Sequence, residues 1–138
     1  MEKKNIDWGS IGFGYIPTDY RYVANFKDGK WDEGQLTTDP NVTLNECACV
    51  FQYAQTVFEG MKAYTTEDGH IVTFRPDLNA ERLANSARRL EMPVFPRIVL
   101  LMLSCRQSKQ MKLMYRHTAQ VQHFMYVRTC SEATLLSV

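Results

Sequence analysis

From residue 97 to residue 138 the sequence has no glycine, proline, aspartate, asparagine or tryptophan, although residues 1–96 use all five. The same stretch carries six Lys/Arg against a single acid, Glu132, a balance of +5, whereas residues 1–96 carry 10 Lys/Arg against 14 Asp/Glu, a balance of −4. The net charge of +1 is the sum of the two and predicts neither a nucleic-acid nor a membrane-surface partner. Long apolar runs are missing too: the longest, Ile98 to Leu103, is six residues, far short of the roughly 20 that a membrane-spanning helix needs. No hydrophobic segment follows Lys3 and Lys4, so no secretory leader is expected and the chain reads as cytoplasmic. Cys47, Cys49, Cys105 and Cys130 form no Cys-x-x-Cys pair, and the lone Cys-x-Cys has no second pair of ligands. No metal site is therefore expected, and the thiols read as reduced.

What is present is ordinary for a folded protein. A length of 138 residues with 45% hydrophobic and 22% charged residues suits one domain with a core and argues against wholesale disorder. Tyr20–Phe26 is rich in aromatic and branched residues, and Asp28-Gly29 follows it, which predicts a hairpin returning through Trp31–Thr37 because glycine accepts a positive φ. Asn45, or the residues just after it, can open a short helical segment running to Gln55. A second hairpin is predicted from Val57–Tyr64 through Asp68-Gly69 to His70–Phe74, with Pro76 closing the strand. Leu78, Leu83, Ala84, Ala87 and Leu90 then recur mostly at helical steps, with Asp77 or Asn79 available as a cap and Arg88 and Arg89 in the last turn. Strands followed by a helix predict an α+β fold, an antiparallel sheet with flanking helices.

Two segments carry candidate chemistry. The first, Tyr53 to Tyr64, is on its own terms a strand with a glycine bulge. The second, Phe74 to Pro93, places Arg82 about one turn into the predicted helix, where a guanidinium could clamp a phosphate through two parallel hydrogen bonds. The plainer reading of Arg82 is a solvated side chain loosely paired with a first-turn acid such as Asp77.

The order of three strings bears on that choice. Gly12-Phe13-Gly14-Tyr15-Ile16-Pro17-Thr18-Asp19-Tyr20, Phe58-Glu59-Gly60-Met61-Lys62-Ala63-Tyr64 and Phe74-Arg75-Pro76-Asp77-Leu78-Asn79-Ala80-Glu81-Arg82 occur in this sequence in that order. Together they closely resemble the N-terminal portion of branched-chain amino-acid aminotransferases, fold-type IV enzymes that use pyridoxal 5'-phosphate. The Phe-Arg-Pro-x-Leu-Asn-x-x-Arg string best separates them from D-amino-acid aminotransferases. The resemblance implies the small N-terminal domain of that fold, spanning residues 1–96, and a transaminase moving an amino group between Leu, Ile or Val and 2-oxoglutarate. It implies that Arg82 holds the cofactor phosphate. It also implies that Phe13, Tyr53 and Phe58 wall an apolar substrate pocket, with Gly60 and Lys62 beside it on the same strand. Family members are homodimers or larger, and Tyr53 is expected to reach a neighbouring subunit's site. The lysine that forms the Schiff base stands beyond the last recognisable motif in the family, so no catalytic residue is expected here.

The resemblance stops after Phe95-Pro96, where the composition changes. A shift of reading frame explains both facts. In a shifted frame, Met111-Lys112 forces Glu, and Met114-Tyr115 and Met125-Tyr126 each force Val. The other pairs from Lys109 to Glu132 permit a reading that contains P-P-Y-G-T-G-A-T-L-Y-V-R-P, similar to what the family carries next. Residues 97–138 are accordingly expected to be an out-of-frame tail that forms no domain and is weakly ordered or arbitrarily helical. Its basic and aromatic mixture is then not a nucleic-acid site. The alternative to an active transaminase is a non-catalytic fragment or pseudogene product, able at most to associate with an intact subunit.

Overall fold

The computed structural model describes residues 20–102, 120–128 and 133–137. The first predicted hairpin is present as β1 (Arg21–Lys27), β2 (Lys30–Trp31) and β3 (Gln35–Thr37), with Asp28 and Gly29 both at positive φ in the turn. The returning strand is broken because the register slips by one residue between Phe26↔Trp31 and Val23↔Gln35. Asp32 fills the gap by accepting hydrogen bonds from the Asn25 and Gly34 backbone N–H groups, at 2.9 and 3.0 Å. Gly34 adopts a φ of 63° there, directly over the Tyr22 ring, where a Cβ would collide with the phenol. This is a bulge, and it bends the hairpin.

After it, the Asn45 side chain accepts from the Cys47 N–H, and α1 (Cys49–Tyr53) follows, shorter than the segment expected through Gln55. The second hairpin is β4 (Thr56–Thr65) and β5 (Ile71–Thr73). The helix that follows, α2 (Pro76–Arg89), differs from expectation at its start. Neither Asp77 nor Asn79 caps it; Arg75, at φ 46°, is the N-cap residue, and Pro76 begins the helix instead of closing the strand. Proline suits a first helical position, since its missing N–H would have had no helical partner. The buried stripe is Ala80, Leu83 and Ala87, while Leu78 and Leu90 are exposed. The two alanines let α2 lie close on β4, and Leu83 joins Val57 and Met61 in the core.

The core extends from β1 through Tyr22 and Ala24 to Met92, Phe95 and Leu100. Trp31 joins the hairpin to the segment after α2. Its ring meets Phe95 edge-on at 4.9 Å, and its indole N–H donates to the Val94 carbonyl at 3.1 Å. Residues 97–102 are helical, and Leu100 within them is 4% exposed.

Two strands beyond residue 97 enter the same sheet: β6 (Gln120–Arg128) and β7 (Ala133–Ser137). The sheet has seven strands in the order β2-β1-β7-β6-β4-β5, with β3 paired to β1, and every pairing is antiparallel. The expectation of a weakly ordered or helical tail therefore does not describe these two segments. Gln120–Arg128 is rich in Val, Phe, Tyr and Met, types that suit a strand, and the edges of β4 and β1 offer it and β7 unpaired backbone groups. Among the described residues, no helix is long and apolar enough to cross a membrane.

Candidate functional site

Strand alternation decides what β4 presents to α2. Val57, Glu59, Met61 and Ala63 are buried on the helix side, while Phe58, Lys62 and Tyr64 are exposed on the other. Glu59 is thus a carboxylate in a register otherwise apolar, and at 7% exposure it is the one charged side chain buried among the described residues. Burial of a charge is costly unless it is paired and hydrogen-bonded, and α2 supplies both. Asn79 and Arg82 lie three residues apart, on one face of the helix. The Asn79 amide donates to Glu59 Oε1 at 2.7 Å and to the Gly60 carbonyl at 2.9 Å. Arg82 donates through Nη2 to Oε1 at 2.6 Å and through Nε to Oε2 at 3.2 Å. These hydrogen bonds, reinforced by the opposite charge, raise the Arg82 pKa above its ordinary value and keep the guanidinium charged.

Arg82 is therefore paired, but with Glu59 and not with Asp77. Asp77 is taken by Arg75, whose Nε and Nη2 reach its carboxylate at 2.9 and 2.8 Å and hold its pKa down at about 2. The Arg82 side chain remains 62% exposed, and its Nη1 nitrogen donates to no protein group among the described residues. Of five guanidinium N–H groups, those on Nη1 take no part in the grip on Glu59. That geometry leaves a charged two-donor edge for an anion, the type of contact a phosphate takes.

The remaining expected site residues fall elsewhere. Phe58, 63% exposed, shares with Gly60 and Lys62 the face of β4 opposite Glu59. Tyr53 ends α1 and is 80% exposed. Phe13 lies outside the described residues. The structure thus joins Arg82, Asn79 and Glu59 on one face of β4 and sets Phe58, Gly60 and Lys62 in a row on the other. Glu59 and Asn79 were not singled out from the sequence as site residues. The available signal was an acid at an inward position of an alternating strand.

No family model matches the chain. A stretch of 93 residues is 53% identical to a branched-chain-amino-acid aminotransferase of Haemophilus influenzae, covering 67% of this chain and 27% of that protein. A branched-chain-amino-acid aminotransferase of Helicobacter pylori is 44% identical over 90 residues, 65% of this chain and 26% of its own length. A methionine aminotransferase of Arabidopsis thaliana is 47% identical over 90 residues, 64% of this chain and 25% of its own length. The chain thus spans about a quarter of the length of the curated relatives it matches. In structure, it superposes on the branched-chain amino acid aminotransferase of Escherichia coli with a TM-score of 0.63 at 19% identity, covering 87% of this chain and 38% of that one. A hypothetical aminotransferase of Mycobacterium tuberculosis in its pyridoxal-phosphate-bound form gives 0.59 at 13% identity, covering 85% of this chain and 38% of that one. The chain has the fold of the N-terminal domain of fold-type IV aminotransferases, and over its first two thirds it is homologous to the branched-chain aminotransferases.

Proposed function

We propose that residues 1–96 are the N-terminal piece of a pyridoxal-phosphate-dependent branched-chain amino-acid transaminase, exchanging an amino group between Leu, Ile or Val and 2-oxoglutarate in the cytoplasm. The observation that carries this reading is the 53% identity over 93 residues. In it, Arg82 takes the cofactor phosphate on the outward edge of its guanidinium. The cofactor, when bound, supplies the electron sink for the chemistry at carbon. Phe58, with Tyr53 and Phe13, supplies aromatic surface that excludes water from an aliphatic side chain, and Gly60 leaves room beside it. Such a wall discriminates poorly between chains differing by a methylene. The methionine aminotransferase at 47% identity fits that limit, since this stretch is nearly as close to it as to the branched-chain enzymes. The rest of the pocket, in this reading, comes from the part of the relatives' length that this chain does not match and from the partner subunit of a homodimer.

For the 138-residue chain itself the proposal is a non-catalytic fragment whose reading frame shifts near residue 97. Lys62, the lysine on β4, lies on the face opposite Glu59 and Arg82, so it is not positioned beside the phosphate clamp. Exposed Phe51, Tyr53 and Phe74 present apolar surface suited to an intact subunit, not to water. Neither a nucleic acid nor a metal ion enters this proposal.

The test is to sequence the gene across the codons for Pro96 and Arg97 and to assay the purified chain and a frame-restored version with leucine, 2-oxoglutarate and pyridoxal phosphate. Turnover only in the restored version is expected. Turnover by the 138-residue chain overturns the fragment reading, and none in the restored version overturns the transaminase reading.

A further inference from the structure

We propose that Glu59 is a positioning residue: its buried carboxylate grips Arg82 by the Nε–Nη2 edge and turns the opposite edge outward for a phosphate. This rests on the reading of Arg82 as a phosphate ligand and adds to it the group that aims the guanidinium.

A tie between α2 and β4 does not require a buried charge. Ala80, Leu83 and Ala87 already pack on Val57 and Met61, and an apolar residue at position 59 would extend that contact at less desolvation cost. The carboxylate is also fixed from another side. The Asn79 amide bridges Glu59 Oε1 and the Gly60 carbonyl, at 2.7 and 2.9 Å, so Glu59 has a second anchor besides Arg82. Arg82 is the exposed partner, at 62% on a long side chain, and Glu59 removes rotamer freedom that a bound anion would otherwise have to freeze. The two contacts, Nη2 to Oε1 at 2.6 Å and Nε to Oε2 at 3.2 Å, use one edge and set the plane of the guanidinium. A planar fork held in that way suits two oxygens of a phosphate better than a spherical anion.

Charge and orientation pull in opposite directions, and the test separates them. Loss of the Glu59 charge raises affinity for every anion alike, whereas loss of aim lowers the preference for phosphate over chloride. Binding of inorganic phosphate and of chloride to the full chain is measured by the shift of the Arg82 Nε–H resonance in wild type, Glu59→Gln and Glu59→Asp. The phosphate-to-chloride affinity ratio is expected to fall about tenfold in both variants; an unchanged ratio overturns the proposal. Arg82→Ala, which lacks that resonance, is titrated with phosphate by calorimetry beside the wild type and checks the underlying reading. If it binds phosphate as wild type does, the phosphate role of Arg82 fails. If it loses phosphate while the Glu59 variants keep the ratio, only the positioning role fails. Should both Glu59 variants unfold, the wild type decides. Its Arg82 Nε–H is expected to stay protected from solvent exchange at saturating phosphate, and loss of that protection overturns the proposal.

Discussion

Strand β4 is hydrogen-bonded on both edges, over three residue pairs by β5 and over eight by β6. The two neighbours come from different kinds of sequence. β5 follows a turn whose glycine, Gly69, has φ 81° and whose Thr66 Oγ accepts from the His70 N–H, so local chemistry sets the register. β6 belongs to the stretch without Gly, Pro, Asp or Asn. The superposition on the Escherichia coli enzyme nevertheless covers 87% of the chain, more than the 96 of 138 residues before the seam can supply. Backbone pairing asks only for an extended, β-prone segment beside an open edge. The contacts that make a site ask for particular side chains. A sheet can therefore be completed by sequence of either composition, and fold similarity alone does not separate the two regions.

The sharpest way to break this comparison is to delete residues 97–138. That removes β6 and β7, opens the facing edges of β4 and β1, and takes Leu100 out of the core. The shortened chain is expected to lose its cooperative thermal transition and to bind a hydrophobic dye. If it melts cooperatively at the wild-type midpoint, the second region is no part of the folded unit.

A gentler probe compares one buried leucine on each side of the seam. Leu83 and Leu100 are 3% and 4% exposed, so transfer from water weighs on them equally. Leu83→Ala is expected to cost about 3 kcal/mol, within the range for a fully buried leucine. Leu100→Ala is expected to cost about 1–2 kcal/mol, because a site that can collapse loses less and its helical neighbours Ile98 and Met102 are exposed. Urea denaturation of both variants measures the difference, and equal losses would mean that the two regions are packed alike.

Much of the first region was legible because its signals are local. Asp28-Gly29 marks a hairpin by its φ, and the spacing of Leu83 and Ala87 marks a helix face. The bulge at Gly34 was not legible, since it answers to the Tyr22 ring, 12 positions back in the chain. Proline cannot donate to a ladder, which by itself puts Pro76 at a strand's end, yet the same missing N–H suits the first residue of α2. Arg82 could be picked out, but its partner could not. Glu59 and Arg82 are 23 residues apart, and only the docking of α2 on β4 makes them neighbours. The tail's strands escaped notice for the converse reason. They lack turn residues to announce them, and their partners, β4 and β1, lie far back in the sequence.

The smallest expected effect separates the regions by charge. Asp77 is held at a pKa of about 2, first by the hydrogen bond from Arg75 and then by its positive charge. A carboxyl lowered in the folded state contributes stability above its unfolded value near 4, and that contribution is lost as pH falls toward 2. Asp77→Asn has no such proton to take up. The stability gap between wild type and Asp77→Asn is therefore expected to narrow between about pH 4 and pH 2, read as the difference in urea midpoint. High salt should shrink it at every pH, because both partners are solvent-accessible and exposed pairs are screened. A gap constant with pH would mean that Arg75 does not hold the carboxylate. Residues 1–96 hold 14 of the 15 acids, so the acid limb of the unfolding curve reports on the transaminase-like region and scarcely on the rest.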